Sequence, residues 1–227
     1  MNFTSDSIYH IYNRGNQQQK IFFNRENYLF FLKKMRVELS PYCEFINYCL
    51  MPNHFHWLVK TSVPYIRQTS WSGQTDLQNI HPDSFNNKIF IRRIANLLSS
   101  YSQAINKQNV TTGGLFQKKT KAKLIMSLDE GPVRPLGAVR RVQPIGEIYH
   151  DDFLCAFNYN HQNPWKARLV KRIEEWEFSS MRDYAGFRNG TLCNQKLGHE
   201  LLGITNSAEF MRMSYETLDP ERIRRIF

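Results

Sequence analysis

The chain has 227 residues and is rich enough in apolar and aromatic side chains to build a packed core, which argues against wholesale disorder. Lys and Arg number 30 against 20 Asp and Glu, a net charge of +10 that favours polyanionic partners, with nucleic acid ahead of an anionic membrane. No stretch approaches the ~20 apolar residues of a membrane span, the N-terminus lacks a secretory pattern, and Cys43, Cys49, Cys155 and Cys193 show no CxxC spacing; a cytoplasmic protein with reduced thiols is expected.

Along the chain, "SIYHIYNRGN" alternates Ile8, His10 and Tyr12 against Tyr9, Ile11 and Asn13, the pattern of a strand that turns at Arg14-Gly15-Asn16. Asn24 is a suitable N-cap for a helix in which Tyr28, Phe31, Leu32, Met35 and Leu39 recur at helical spacing, ended by Pro41. "YCEFINYCL" and "HFHWLVK" read as two strands of a hairpin joined through the turn at "MPN". Residues 61–87 form a long polar loop. "NKIFIRRIANLLSSYSQAINK" is an amphipathic helix with Ile91, Ile94, Ala95, Leu98, Tyr101 and Ile105 along one stripe. After the stop at "TTGG", "LFQKKTKAKLIM" is a basic stretch leading into a further strand.

Residues 129–147, rich in Pro, Gly and Arg, read as an inserted loop. "DDFLCAFNYNHQ" follows as a short helix, and "NPWKARLVKRIEEW" as a new one with Asn163 as N-cap and Pro164 at its first position. The tail ending "DPERIRRIF" is helical and basic. The order strand, helix, hairpin, helix, strand, helices predicts an α+β fold, a ferredoxin-like antiparallel sheet with packed helices and a C-terminal helical extension.

His54 and His56 stand out within this pattern. Alternation puts Phe55, Trp57 and Val59 on one face of their strand and both histidines on the other. Two imidazoles at i and i+2 have roots about 6–7 Å apart, close enough to reach one divalent cation. The spacing equally suits two separately hydrogen-bonded histidines at a sheet edge. A site that does chemistry needs a third ligand and open positions, and no acid lies nearby in sequence.

"MPNHFHWLVK" resembles the His-hydrophobic-His motif of single-tyrosine transposases, and the chain as a whole resembles a REP-associated tyrosine transposase, a bacterial relative of insertion-sequence transposases. "YHIYNRGN", "SSYSQAINK", "GGLFQKKTKAKLI" and "YNHQNPWKARLVKRIEEWEFSS" carry the same resemblance in order and spacing, over about residues 8–60 and 88–185. The resemblance implies residues 1–185 as a catalytic domain interrupted by the loops at 61–87 and 129–147, with 186–227 as a basic C-terminal extension. It implies Tyr101 as nucleophile, a divalent cation, Mg²⁺ or Mn²⁺, at His54 and His56, and single-stranded or hairpin-forming DNA as substrate. Related transposases place a polar metal ligand one turn beyond the tyrosine. Position 105 is Ile here, so Asn106 or Gln103 is the candidate third ligand.

Taken as a residue, Tyr101 continues an apolar stripe, the setting of a core tyrosine. Its neighbours Ser99, Ser100, Ser102 and Lys107 give it the polar, basic surroundings that could meet a phosphate. A phenol with a pKa near 10 needs activation to attack phosphorus. A cation on the histidines would polarise the scissile phosphate and neutralise developing charge. The product would be a phosphotyrosine and a free 3′-hydroxyl, which conserves the bond for rejoining. Arg14, Arg92, Arg93, Lys118, Lys119, Lys121 and Lys123 are the residues expected to touch DNA, with Phe116 and Trp165 placed to stack on bases. The alternatives are a non-catalytic single-stranded or hairpin DNA binder derived from a transposase, and a structural zinc or RNA-binding module built on the two histidines. Either a monomer or a homodimer fits.

Overall fold

The computed structural model describes residues 1–62, 86–128, 147–204 and 206–226, with 147–150 for their backbone only. Most of the predicted loops at 61–87 and 129–147 lies outside the described residues. Four strands, β1 (Ser7–Arg14), β2 (Cys43–Met51), β3 (His54–Thr61) and β4 (Lys121–Ser127), form one sheet in the order β2-β3-β1-β4, with every neighbouring pair antiparallel. Helix α1 (Arg25–Glu38) joins β1 to β2, and α2 (Asn87–Asn109) lies between β3 and β4. This is the ferredoxin-like arrangement that the pattern predicts. The hairpin turn is the pair Pro52-Asn53, and Asn24 caps α1 by accepting from the Asn27 amide at 3.0 Å.

Each face of the sheet carries its own core. On one side α1 and α2 pack Phe31, Met35, Phe90, Ile94 and Ile105 against Ile11, Phe55, Trp57 and Val59. On the other lies α3 (Glu147–Lys166), followed by α4 (Met181–Tyr184), α5 (Gln195–Leu202), α6 (Ser207–Ser214) and α7 (Pro220–Ile226). Phe153 and Phe157 of α3, Leu201 of α5 and Phe210 of α6 cover Ile8, Ile46 and Leu58 of the sheet. The helices after residue 185 are thus part of the second core. All four cysteines are buried and unbonded.

One helix boundary differs from the sequence pattern in a way that matters for the site. Asn163-Pro164 does not open a helix; it lies in the last turn of α3, which runs unbroken from Glu147. A proline near a helix C-terminus removes a single i→i−4 bond, while the residues before it keep theirs. The stop comes at Arg168, whose left-handed φ of 57° turns the chain away, with Ala167 N–H bonded to Asn163 O and Leu169 N–H to Pro164 O, both at 2.9 Å. Residues 159 and 163 are therefore one turn apart on the same helix face.

Candidate active site

The sheet face under α3 carries both histidines. The register sets Arg14 opposite His54 and Tyr12 opposite His56 on β1, and Lys121 opposite Tyr12 on β4. Directly paired residues point the same way, so these side chains converge. With the end of α3 they enclose a cleft of about 330 Å³ whose walls include His54, His56, Tyr12, Arg14, Lys121 and Tyr159; Asn13, Gln117 and Lys119 complete it. The turn after β1 is held tightly. Gly15 N–H donates to Asn53 O at 2.8 Å, and a Cβ at Gly15 would stand 2.2 Å from Gln19 O, so a side chain there would push Arg14 out of register. Gln117 N–H donates to Arg14 O at 2.9 Å, which docks the lysine-rich segment against the strand end.

The two imidazole rings are perpendicular, with centroids 5.0 Å apart. His54 Nδ1 lies 2.6 Å from Asn53 Oδ1, and Asn53 donates its own amide hydrogen to Gln18 O at 3.3 Å. Asn53 therefore presents oxygen to the ring, and His54 carries a proton on Nδ1. His56 Nδ1 lies 2.9 Å from Nε2 of His10, a third histidine on β1. Burial, then the Arg14 charge, pushes His54 down to about 4, against a hydrogen bond to Asn163. Burial and the neighbouring His10, His54 and Arg14 hold His56 well below the usual histidine range. Near neutral pH both rings are uncharged, the form that binds a cation. Among the described residues no group of three His, Cys, Asp or Glu comes together. The amide side chains lining the cleft are those of Asn13 and Gln117, and Asn163 stands beside His54 at its edge. Two imidazole nitrogens with an amide oxygen suit a divalent cation tolerant of mixed nitrogen and oxygen ligands, Mn²⁺ or Mg²⁺.

Tyr159 reaches this cleft from α3. Its ring stands edge-on to His56, centroid to centroid 5.7 Å. Asn163, one turn on, donates to Tyr159 O at 3.0 Å, and its side chain lies near enough to the phenol and to His54 to shift the pKa of each toward its charged form. Burial raises the Tyr159 phenol above the usual tyrosine range, while Arg14 and Asn163 pull it back. Tyr12 stacks on His10 at 4.8 Å and on His56 at 5.8 Å, with the Lys121 ammonium 5.5 Å from its ring centre. The cleft thus gathers two phenols, two imidazoles and three cationic side chains, a setting that can take a phosphodiester and present oxygen nucleophiles to it.

The predicted nucleophile is elsewhere. Tyr101 is fully buried on the opposite side of the sheet, its hydroxyl donating to Ile21 O at 2.7 Å and its ring packed edge-on against Phe31 at 4.8 Å. The helical stripe it shares with Ile94, Leu98 and Ile105 turns it into that core, and the structure does not bring it to the histidines. The serines beside it serve the helix: Ser100 and Ser102 bond back to the carbonyls of Asn96 and Leu98, both at 2.7 Å. Asn106 is likewise not among the cleft residues. Its amide donates to Gly113 O at 2.9 Å and its oxygen accepts from Thr111 at 3.2 Å, closing the end of α2. Gln103 donates to Ser99 at 3.3 Å on the exposed side of the same helix.

The basic residues divide between the two faces. Arg14, Lys119 and Lys121 line the cleft, Lys118 is exposed next to it, and Lys123 follows Lys121 on the same sheet face, opposite His10. Arg92 and Arg93 are on α2, on the other side, where Arg93 pairs with Glu38 at 3.4 Å and lies over the Tyr42 ring. Sequence reasoning missed Tyr159, Asn163, Tyr12 and His10. The usable signals were the i, i+4 spacing of Tyr159 and Asn163, hidden by splitting α3, and the alternation that puts His10 and Tyr12 together on one face of β1.

No protein-family model matches the chain, and no curated protein matches it. Among solved structures the chain is similar to a REP-associated tyrosine transposase bound to a REP hairpin. That match has 13% identity, covers 82% of each chain and has a TM-score of 0.48. No described helix is long and apolar enough to cross a membrane.

Proposed function

We propose that this chain cleaves and rejoins single-stranded or hairpin-forming DNA through a covalent bond to Tyr159, with a divalent cation held by His54, His56 and the Asn163 oxygen. The observation that carries this reading is the Tyr159 ring edge-on to His56 within a cleft walled by Arg14, Lys119 and Lys121. When bound, the cation would polarise the scissile phosphate and offset the charge that grows on it. The chain's own groups supply the rest. Arg14 and the two lysines hold the phosphodiester by charge, and the fork of Arg14 suits two of its oxygens at once. Asn163, joined to the Tyr159 carbonyl and lying beside the phenol, helps hold the tyrosine in place. The Tyr159 oxygen attacks phosphorus and loses its proton, the phosphorus–O3′ bond breaks, and the departing 3′ oxygen gains a proton. The product is a 5′-phosphotyrosine and a free 3′-hydroxyl, so the reverse reaction rejoins strands without ATP. Tyr159 and both histidines come from one chain, so a monomer suffices for cleavage.

The test is incubation of the protein with hairpin oligonucleotides labelled at the 3′ end, plus Mn²⁺. A denaturing gel then reads label retained on protein, and peptide mapping locates it. The expected result is an adduct on Tyr159. Tight DNA binding without adduct under Mn²⁺ or Mg²⁺ would instead favour a non-catalytic DNA-binding protein derived from a transposase.

A further inference from the structure

We infer that Asn13 is a positioning residue: its side chain ties residues 117–120 to the end of β1, so that Lys119 stands in the cleft with Arg14 before any DNA arrives. Asn13 borders the cleft beside Arg14, where an amide could read a base edge. Its hydrogen bonds are already taken. Nδ2 donates to Gln117 O at 3.1 Å and to Thr120 Oγ1 at 3.0 Å, and Oδ1 accepts the Arg14 N–H at 2.7 Å. Both amide hydrogens are thus engaged inside the protein, and the residue is buried. One side chain joins the strand that carries Arg14 to the loop that carries Lys119.

The loop needs such a tie. Leu115 and Phe116 are buried, and the Asn16 N–H donates to Leu115 O at 3.0 Å, so the chain is anchored up to residue 116. From Lys121 it is paired again, in β4. Between these points Gln117, Lys118 and Lys119 are exposed and Thr120 is half-buried, so no apolar burial holds them. Lys118, Lys119 and Lys121 also repel one another and Arg14 while no phosphate lies between them. Hydrogen bonds to β1 oppose that drift. The main chain of Gln117 is held from both sides, its N–H by Arg14 O at 2.9 Å and its carbonyl by Asn13. The Thr120 hydroxyl gives Asn13 a second grip just before β4 begins. With the backbone fixed on both sides of the cleft, only the long side chains remain to be ordered when an anion binds, and preorganisation of this kind favours affinity.

The consequence for DNA rests on the function proposed above; the tie between strand and loop is a property of the chain alone. On DNA-free protein, hydrogen exchange at the Gln117 amide reports it. Asn13→Ala is expected to speed that exchange at least about 10-fold while the amides of Trp57 and Val59 in β3 keep their protection. Thr120→Val cuts only the loop side and leaves the Arg14 side whole, so it is expected to speed exchange less and to keep the urea midpoint of wild type. Unchanged Gln117 exchange in both variants overturns the inference. The second measurement is the slope of log affinity against log salt for a single-stranded oligonucleotide. Lys119→Gln is expected to lower it by about 0.7. Asn13→Ala and Thr120→Val are each expected to lower it toward the same value, and to lower it no further when Lys119 is already Gln, because the charge they position is gone. Equal losses with and without Lys119 would mean general loosening and would overturn the positioning role. A changed base preference at unchanged slope in Asn13→Ala would make Asn13 a base reader and overturn it too. Faster Gln117 exchange in the variants, with no change of slope in Lys119→Gln, would support the tie and reject the cleft as the phosphate site.

Discussion

The two faces of the sheet each receive one tyrosine from one long helix, and they treat it in opposite ways. On the face of α1 and α2, Tyr101 is enclosed by phenylalanines and its hydroxyl is satisfied by a single carbonyl, that of Ile21. On the face of α3, Tyr159 is only partly buried beside His56, with Arg14 near enough to lower its pKa. Both phenols are harder to ionise than a free tyrosine because both are partly desolvated. What separates them is the company: hydrocarbon and one acceptor against cations, imidazoles and open space. A tyrosine's fitness as a nucleophile is therefore set less by its helix or its serine neighbours than by the sheet face it meets.

The largest expected effect breaks this comparison directly. Tyr159→Phe should cut DNA–protein adduct by at least about a thousand-fold while leaving hairpin affinity within a few fold, read by denaturing gel and by anisotropy. Tyr101→Phe should leave adduct formation intact. It removes the hydrogen bond to Ile21 O and strands a buried carbonyl, so it should lower unfolding free energy by about 1–3 kcal/mol, measured by urea denaturation. Adduct persisting in Tyr159→Phe and vanishing in a folded Tyr101→Phe would reverse the assignment of the faces.

Acid sensitivity should come from the α3 face. Burial pushes His10 and His161 down to about 3 and His54 to about 4, and holds His56 lower than usual. In the unfolded chain these rings take protons near pH 6.5. The folded pKa values are the lower ones, so the unfolded state binds more protons below that point. Stability is full above about pH 6.5 and falls as pH drops toward 4. Each ring protonated only on unfolding adds about 1.4 kcal/mol per pH unit to the slope. The urea midpoint of metal-free protein against pH measures this, and His161→Asn should make the curve shallower by one ring's share. A flat profile from pH 7 to 4.5 would mean that these rings take protons without unfolding.

Much of this was legible in the chain. The hydrophobic alternation of β1 and the β2–β3 hairpin, the Asn24 cap and the stripe of α2 follow local rules of spacing and capping, and the structure keeps them. His54 and His56 share a face because a strand has period two. The partner of that face was not legible by the same means. Which helix covers which side of a sheet is a tertiary fact, and Tyr101 and Tyr159 look alike until it is known. The proline at 164 made matters worse, since Asn-Pro reads locally as a helix start. It ends one here because the turns before it already pack Phe153 and Phe157 on the sheet, and one missing hydrogen bond does not outweigh that burial. His10 escaped notice for a different reason. Its contact with His56 depends on how β1 lies against β3, which only the sheet register shows.

The smallest effect sharpens the comparison by charge alone. If the α3 face holds the DNA, basic residues on it should contribute to counterion release and those on the other face should not. Lys119 and Lys121 line the cleft, whereas Arg92 and Arg93 sit on α2, with Arg93 already paired to Glu38. For single-stranded DNA the slope of log affinity against log salt falls by about 0.7 for each phosphate that is no longer neutralised. Lys119→Gln with Lys121→Gln should reduce that slope by about 1.4, while Arg92→Gln with Arg93→Gln should leave it within error, although both pairs remove the same formal charge. Equal changes in the two double variants would mean that the net charge of +10, and not the cleft, governs binding, and the two faces would then be equivalent to a DNA strand.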